Sequence, residues 1–501
     1  MKELFLFVRP PRPLWPFNGP ASAVWPPLAF ASLAAALRDH LRDLRVAILD
    51  APALHMGWRS LEAELRRLQP DYIGIGEEAV SCTEGLRLAR LAKQLHAKVI
   101  AGGCFFGHVP NEAIGTDHVD VVVHGEGEET VVELVEALRS GRVEDLHHVD
   151  GISFADGDAV VRTPPRRLIQ NLDLLPLPAY DLLPVNKYGN GSRNHPDLAA
   201  IELSRGCIGS CDFCILWRQM GQSQGSALVP RLRTKSPERL MEEIRVLTRR
   251  FHRRYLGWVD PCFNADPELP RRLAEHLLKE NIRVGQCAWV RADAIVRDAS
   301  SGALASCVRA GLNEVYLGVE RCDPAGLRAL NKTLNPNVSR QALQILARDF
   351  PEVFTVGSFI YGLSEDTPES VRSLCRLASE LPLDYIFYIP LTPLPGTPFW
   401  RPEMWDSTGA SFRSFGFLPG SLVNGKRSSL ERAFVISNLF HWNYVRFSGY
   451  VQGIFHHDPR KRRLMRRLML RGAAFEVRRM VRALLDRSAN CGMHFPRWYE
   501  S

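Results

Sequence analysis

Cys207, Cys211 and Cys214 stand within eight residues of one another in the run LSRGCIGSCDFCIL, at spacing C-x3-C-x2-C. Thiolates so placed bind soft metals. A structural zinc site would need a fourth Cys or His to close its tetrahedron. The triplet therefore reads as an open metal centre, as zinc borrowing a distant ligand, or as three buried thiols. An iron–sulfur cubane normally takes one cysteine for each of its roughly four irons, so three cysteines would leave one iron open to a small molecule. Cys262, Cys287, Cys307, Cys322, Cys375 and Cys491 are scattered and read as apolar packing. The odd total of eleven cysteines argues against a disulfide framework and for a reducing compartment.

The triplet directly follows a strand-like segment, AAIELSRG, and five more such segments come after it: RYLGWVD, RVGQCAWV, EVYLGVE, VFTVGSFIYGL and YIFYIPLT. Helical stretches such as Ser236–Arg250, Leu269–Glu280 and Pro368–Glu380 separate them. Six βα units are too few for a full eight-stranded barrel, so the pattern predicts a partial (β/α)6 barrel with a lateral mouth. The cysteines then lie in its first βα loop, on the functional face.

Upstream, Leu4–Val8, Arg45–Leu49, Tyr72–Gly76, Lys98–Ala101 and Val119–Val123 read as buried strands. Helical periodicity runs through Pro27–Leu41, Ser60–Leu68, Thr83–Leu95 and Glu128–Leu138. This alternation predicts a doubly wound α/β domain, whose ligands sit at the carboxyl ends of the strands. The loops there are DAPALHMGW, GEEAVSCTE, GGCFFGHVP and HGEGEET. Gly102–Gly103 would let the backbone approach something flat, or serve an ordinary tight turn. Glu126 and Glu128 could touch a cofactor edge; for Glu128 the favourable placing of negative charge at a helix N-terminus is the preferred reading. Residues 150–195 lose periodicity, and Asn171–Val185 reads as an extended, docked linker. The division expected is 1–145, a linker 146–195, the barrel 196–402 and a basic helical region 403–501.

The composition, 46% hydrophobic and 24% charged, is that of a soluble globular protein. No stretch of about 18 apolar residues spans a bilayer, and the short apolar start, MKELFLFV, is no signal peptide; a cytoplasmic location is expected. Of the net charge +8, residues 401–501 carry +11, from 18 Lys and Arg against 7 Asp and Glu. Basic character belongs to the tail. Its Arg-rich helical pattern over 455–487, with Leu464, Leu468, Phe475 and Met480 near helical spacing, suits a solvated capping bundle, an anionic substrate, an anionic membrane surface or nucleic acid. No RNA-binding motif follows residue 400, which argues against nucleic acid.

The motifs together resemble the radical S-adenosylmethionine (AdoMet) superfamily. SRGCIGSCDFC is similar to its S-R-G-C…C-x-F-C form; GWVDPCFNAD, VRAD, YLGVER, GSFIYGLSEDTPES and PLTPLPGTPFW follow in the family's order. The resemblance implies a 4Fe–4S cluster on Cys207, Cys211 and Cys214, whose open iron chelates AdoMet and whose electron yields a 5′-deoxyadenosyl radical. It further implies AdoMet contacts from Phe213, Asp260, Arg291 and Glu320. Two departures are visible: Pro261 replaces a second Asp, and Arg321 replaces a Ser. Pro26–Pro27, the GG turn, VDVVVHGEGEET and the L-D-x-L-P-x-P-A-Y-D linker resemble the cobalamin-binding subclass, with a flavodoxin-like first domain. Cobalamin contacts are then implied at Gly102, Gly103, Gly125, Glu126 and Gly127. Asp50 and His55 lack the D-x-H-x-x-G spacing, so cobalt need not have a lower histidine; His55 and His108 remain contacts to consider. The subclass implies methylation of an unactivated carbon in a small molecule, tetrapyrrole or lipid, or alternatively oxidative cyclisation or rearrangement. A low-potential electron donor such as flavodoxin or ferredoxin would serve either.

Overall fold

A computed structural model of the chain describes residues 2–12, 25–76, 79–189, 195–224, 227–404, 454–466 and 498–501. Cys491 and most of the tail lie outside these residues.

The first sheet grows from short apolar runs. Leu4–Arg9 is buried along its whole length and pairs in parallel with Arg45–Asp50 on one side and Tyr72–Ile75 on the other. Lys98–Ala101 and Val121–Val123 extend it, so the parallel strands lie in the sequence order 2-1-3-4-5. This is the flavodoxin arrangement, and its crevice opens where the order reverses. Helices Leu28–His40 and Glu128–Ser140 cover one face, and Trp58–Leu68 and Cys82–Gln94 the other, each with its own apolar cluster.

One expectation needs correcting. The stretch said to lose periodicity carries a hairpin, Ile152–Asp156 with Ala159–Arg162, and Ile152–Asp156 pairs antiparallel with Val121–Val123. The sheet is mixed. Only Ile152, Ser153 and Phe154 of the hairpin are fully buried, so neither a long apolar run nor a clean alternation announced it. The following linker docks as expected: Ala179 N–H bonds the Ala31 carbonyl at 2.9 Å, and the Tyr188 hydroxyl donates to Asp50 at 2.6 Å.

The second sheet has six parallel strands in sequential order: Leu198–Ile201, Tyr255–Trp258, Gly285–Val290, Leu312–Glu320, Phe354–Tyr361 and Tyr385–Pro390. Its outer face packs on helices through the largest apolar cluster. Between the first two strands, Ser204–Gly206 pairs antiparallel with Leu232–Thr234. The cysteine loop springs from the end of this small ribbon.

The amino-terminal end of the barrel is closed by the tail. In the helical segment 459–466, Leu464 and Met465 pack on Phe354, Val356 and Tyr385. Arg460 reaches Glu314 at 2.8 Å and the Tyr255 hydroxyl at 2.7 Å; Lys461 reaches Asp384 at 2.9 Å. These two cations, counted with the basic tail surface in the sequence, are thus used inside the fold. Further on, Trp58 N–H bonds the Tyr499 carbonyl, and the Tyr499 hydroxyl donates to buried Glu84 at 2.8 Å. Among the described residues no helix is long and apolar enough to cross a membrane.

Candidate functional site

The cysteine loop is held from both sides. Gly206, with φ +91°, makes the turn into it; a Cβ there would lie 1.8 Å from the Arg231 carbonyl oxygen, so only glycine fits. Cys214 begins the short helix Ile215–Gln219. The Trp217 indole donates to the Cys211 carbonyl at 2.9 Å, and Asp212 N–H to the Leu330 carbonyl at 3.0 Å. The Cys207 and Cys211 sulfurs both lie within 4.0 Å of the point a Gly209 Cβ would take. Burial pushes the Cys214 thiol up to about 11 and raises that of Cys211. Metal loading must therefore release protons from these thiols. Among the described residues no set of three or more His, Cys, Asp or Glu converges on a single ion position. The donor set is three soft sulfurs on one loop, which suits a cluster with one iron left for a further ligand.

Residues implied by the motifs gather around this loop. Phe213 packs among Leu330, Ile360 and Leu363 at the barrel rim. Arg291 holds Asp293 through two bonds of 3.0 and 2.8 Å, and its Nη1 would lie 3.0 Å from a Gly209 Cβ, so it overhangs the cysteines. Glu320 adopts φ +65° at a bulge that ends its strand. Such a conformation is uncommon outside glycine. It brings the carboxylate to Lys332 Nζ at 3.0 Å and to the Ser358 hydroxyl at 3.3 Å.

Asp260 is placed differently from the AdoMet contact expected. It is buried beneath the turn and accepts from Leu203 N–H, Ser204 N–H and the Ser204 hydroxyl at 2.5–3.1 Å. Burial raises its pKa to about 6 against these bonds. It shapes the entry to the cysteine loop. Arg321, standing where the motif expects Ser, donates two hydrogen bonds to the carboxylate of Asp366, and both side chains are buried.

Lys332, with Leu330 and Asn331, was not singled out in the sequence. Asn331 donates to the Ser210 carbonyl at 3.1 Å, and the positive charge of Lys332 favours the Cys211 thiolate, against the dominant effect of burial. A lone N-K after a short helix carries no signal of that role.

In the first domain the glycine loops meet at the carboxyl ends of the strands. Gly103 has φ +81°, and its missing Cβ faces Gly76 at 3.7 Å; Gly125 has φ +67° and faces only the Gln219 carbonyl oxygen, at 4.0 Å. Gly127 lies under Leu33, where a Cβ would come within 2.9 Å of its Cδ2. Gly102 N–H bonds the Ile75 carbonyl at 3.0 Å. Gln219 also meets the Cys104 sulfur at 2.5 Å. The helix that follows the cysteines thus abuts both glycine loops.

Glu126, for which a cofactor contact was expected, is engaged by the other domain. Its two carboxylate oxygens take Arg205 at 2.8 Å and Arg233 at 2.6 Å. Glu128, preferred as a helix-terminus charge, also pairs with Arg205 at 2.6 Å. His55 stacks on Trp498 with ring centroids 5.6 Å apart. His108 abuts the Gly396 turn of the barrel, and burial lowers its pKa to about 4.

A doubly wound domain whose glycine loops face a cysteine triplet on a six-stranded partial barrel defines a two-cofactor metalloenzyme class. Comparison with known proteins specifies it. The B12 binding domain family model matches residues 16–135, and the Radical SAM superfamily model residues 201–378. An uncharacterized methyltransferase of Pyrococcus horikoshii is 30% identical over 379 residues, 75% of this chain and 78% of that one. The anaerobic magnesium-protoporphyrin IX monomethyl ester cyclase of Cereibacter sphaeroides is 26% identical over 445 residues, covering 83% and 68%. The solved structure of the cobalamin-dependent S-adenosylmethionine radical enzyme OxsB, with aqua-cobalamin and S-adenosylmethionine bound, has a TM-score of 0.63 at 15% identity, covering 96% of this chain and 73% of that one. The chain belongs to the radical AdoMet enzymes that carry a B12-binding domain. Its cofactors are a 4Fe–4S cluster, AdoMet and cobalamin.

Proposed function

We propose that the protein methylates an unactivated carbon of a small molecule. The observation that carries this reading is the meeting of Gln219 with Cys104 and Gly125, which sets the two cofactor loops against each other. When bound, the cluster and AdoMet supply radical chemistry, and cobalamin supplies a methyl group. Cys207, Cys211 and Cys214 would hold the cluster as thiolates. Arg291 and Glu320 would take the polar groups of AdoMet, with Phe213 as an apolar wall. Gly102, Gly103, Gly125 and Gly127 would leave room for the corrin, within a first domain that runs past the expected 1–145 to take in the hairpin Ile152–Asp156 and Ala159–Arg162, before the linker, the core, 196–402, and the tail, 403–501.

Inside the barrel, Trp289 lies tilted against Tyr316 with centroids 4.9 Å apart and is 40% exposed. Trp25 lies across Gly257, where a Cβ would clash at 2.2 Å. These rings would exclude water and favour a substrate with an apolar part. A small electron carrier would reduce the cluster. The cytoplasm suits such chemistry, and membrane contact through the remaining basic tail is compatible with a lipid substrate.

The test is metal content after anaerobic reconstitution with iron, sulfide and hydroxocobalamin. About four irons with one cobalt per chain are expected. Iron without cobalt would overturn methylation and favour radical cyclisation or rearrangement; the Cereibacter relative is named as a cyclase. A second prediction concerns the glycine loop. Gly103→Val forces a β-branched residue to φ +81°, at a cost of order 1–3 kcal/mol. Cobalamin uptake should fall while iron content stays at the wild-type level, and unchanged uptake would remove Gly103 from the site.

A further inference from the structure

The two arginines of the small ribbon are register partners, Arg205 on Ser204–Gly206 and Arg233 on Leu232–Thr234. Both leave the barrel domain and grip one carboxylate of the other domain, Glu126, through separate oxygens at 2.8 and 2.6 Å. Arg205 is also held at its other two nitrogens: its Nε bonds Glu202 at 2.9 Å and its Nη2 bonds Glu128 at 2.6 Å. Glu126 also accepts the Ile169 N–H at 2.8 Å, and Arg233 donates to the Ile169 carbonyl at 2.7 Å. All four charged side chains that join the domains here are buried.

The ends of this connection give it meaning. Glu126 sits between Gly125 and Gly127, in the loop that faces the cysteine helix. Arg205 stands two residues before Cys207, and its neighbour Ser204 is fixed by Asp260. A planar guanidinium bonded at all three of its nitrogens, as that of Arg205 is, cannot swivel as a lysine would. We infer that Arg205, Arg233 and Glu126 form a latch that sets the separation between the cobalamin loop and the cluster loop, acting as positioning residues for methyl transfer. The functional meaning rests on the two-cofactor reading; the mechanical link does not.

The test uses Glu126→Gln, which keeps shape but offers one acceptor oxygen and one amide donor to two arginines, and Arg233→Met, which leaves Glu126 Oε2 with the Ile169 N–H alone and adds no donor. In the cofactor-free chain, hydrogen exchange should quicken together in residues 124–128 and 203–214 in both variants. Faster exchange in only one loop, or in neither, would overturn the latch, whatever cofactors bind. With both cofactors loaded, the cobalt–cluster distance distribution from pulsed electron paramagnetic resonance should broaden. Methyl transfer should fall about a hundredfold, the cost of ångström-scale misplacement, while AdoMet cleavage per cluster keeps its wild-type rate. A proportional loss of cleavage and transfer at an unchanged distance would make the contact merely structural and overturn the positioning role. Should Glu126→Gln not fold, Arg233→Met carries both measurements. Should the wild type take up no cobalt, the methylation reading fails, and the exchange experiment still decides the latch.

Discussion

Replacing Cys207, Cys211 or Cys214 by Ala is expected to abolish both cluster binding and AdoMet cleavage. Three sulfurs on one loop leave no redundancy. Cys262 is a replacement thiol to consider, because it lies within electrostatic reach of Cys207 and of the Arg291 beside the cysteine loop. Burial pushes it up to about 12, and its sulfur is turned to Asn264 Oδ1 at 3.5 Å. It cannot swing out without emptying a packed site. Iron and sulfide content, the visible absorption of the reconstituted protein and release of 5′-deoxyadenosine give the readouts. Retained cleavage in any one of the three variants would sink the assignment. The loop itself should survive each change, since Gly206, the Trp217 indole and the Leu330 carbonyl hold it through backbone contacts that Ala preserves.

The largest expected loss of stability lies at the other end of the barrel. Glu314 is buried, and its carboxylate meets His195 at 2.8 Å, Arg460 at 2.8 Å and the Tyr316 hydroxyl at 2.7 Å. Burial alone would raise its pKa; the charges of His195 and Arg460 overcome that and hold it at about 2. Glu314→Gln leaves the partly exposed Arg460 without its counter-charge; removing one partner of a fully buried pair costs about 3–5 kcal/mol, and the partial exposure of Arg460 sets the loss at the lower end of that range. The pH dependence follows from the same shift. The folded value lies below the ordinary 4.5, so this contribution is fully present above that pH and is lost as pH falls toward 2. A shift of this size is worth roughly 3 kcal/mol. Urea unfolding at neutral pH should show the variant's midpoint well below the wild type. Between pH 5 and 3 the wild type should lose stability that the variant no longer has. Equal midpoints at neutral pH would show that the tail segment is not anchored through Glu314.

How far these sites can be read in advance depends on what each part buries. The barrel strands and the cysteine loop were legible because apolar runs and a motif of fixed spacing are local. The hairpin Ile152–Arg162 was not, since its outer strand is half exposed and shows neither pattern. Asp260 was read as a cofactor contact from its motif, whereas its oxygens face a turn 56 residues earlier. Glu126 was read likewise, and its partners lie 79 and 107 residues away in the other domain. Ion pairs formed when domains dock leave no period in the chain. The same holds for Arg460 and Lys461, which composition could only count as surface charge.

The docking of Trp498–Ser501 on the first domain has a consequence for how the molecule is made. Tyr499 and Glu84 are 415 residues apart, and Arg460 and Tyr255 are 205 apart. Contacts of such separation form late, after local units have closed. During synthesis both halves emerge from the ribosome before the segment that seals them. Until residues 459–466 arrive, the lower mouth of the barrel stands open and Glu314 lacks its arginine. Residues 498–501 are thus fastened to a domain made long before them, and a ribosome stalled short of residue 459 would hold a barrel without its floor.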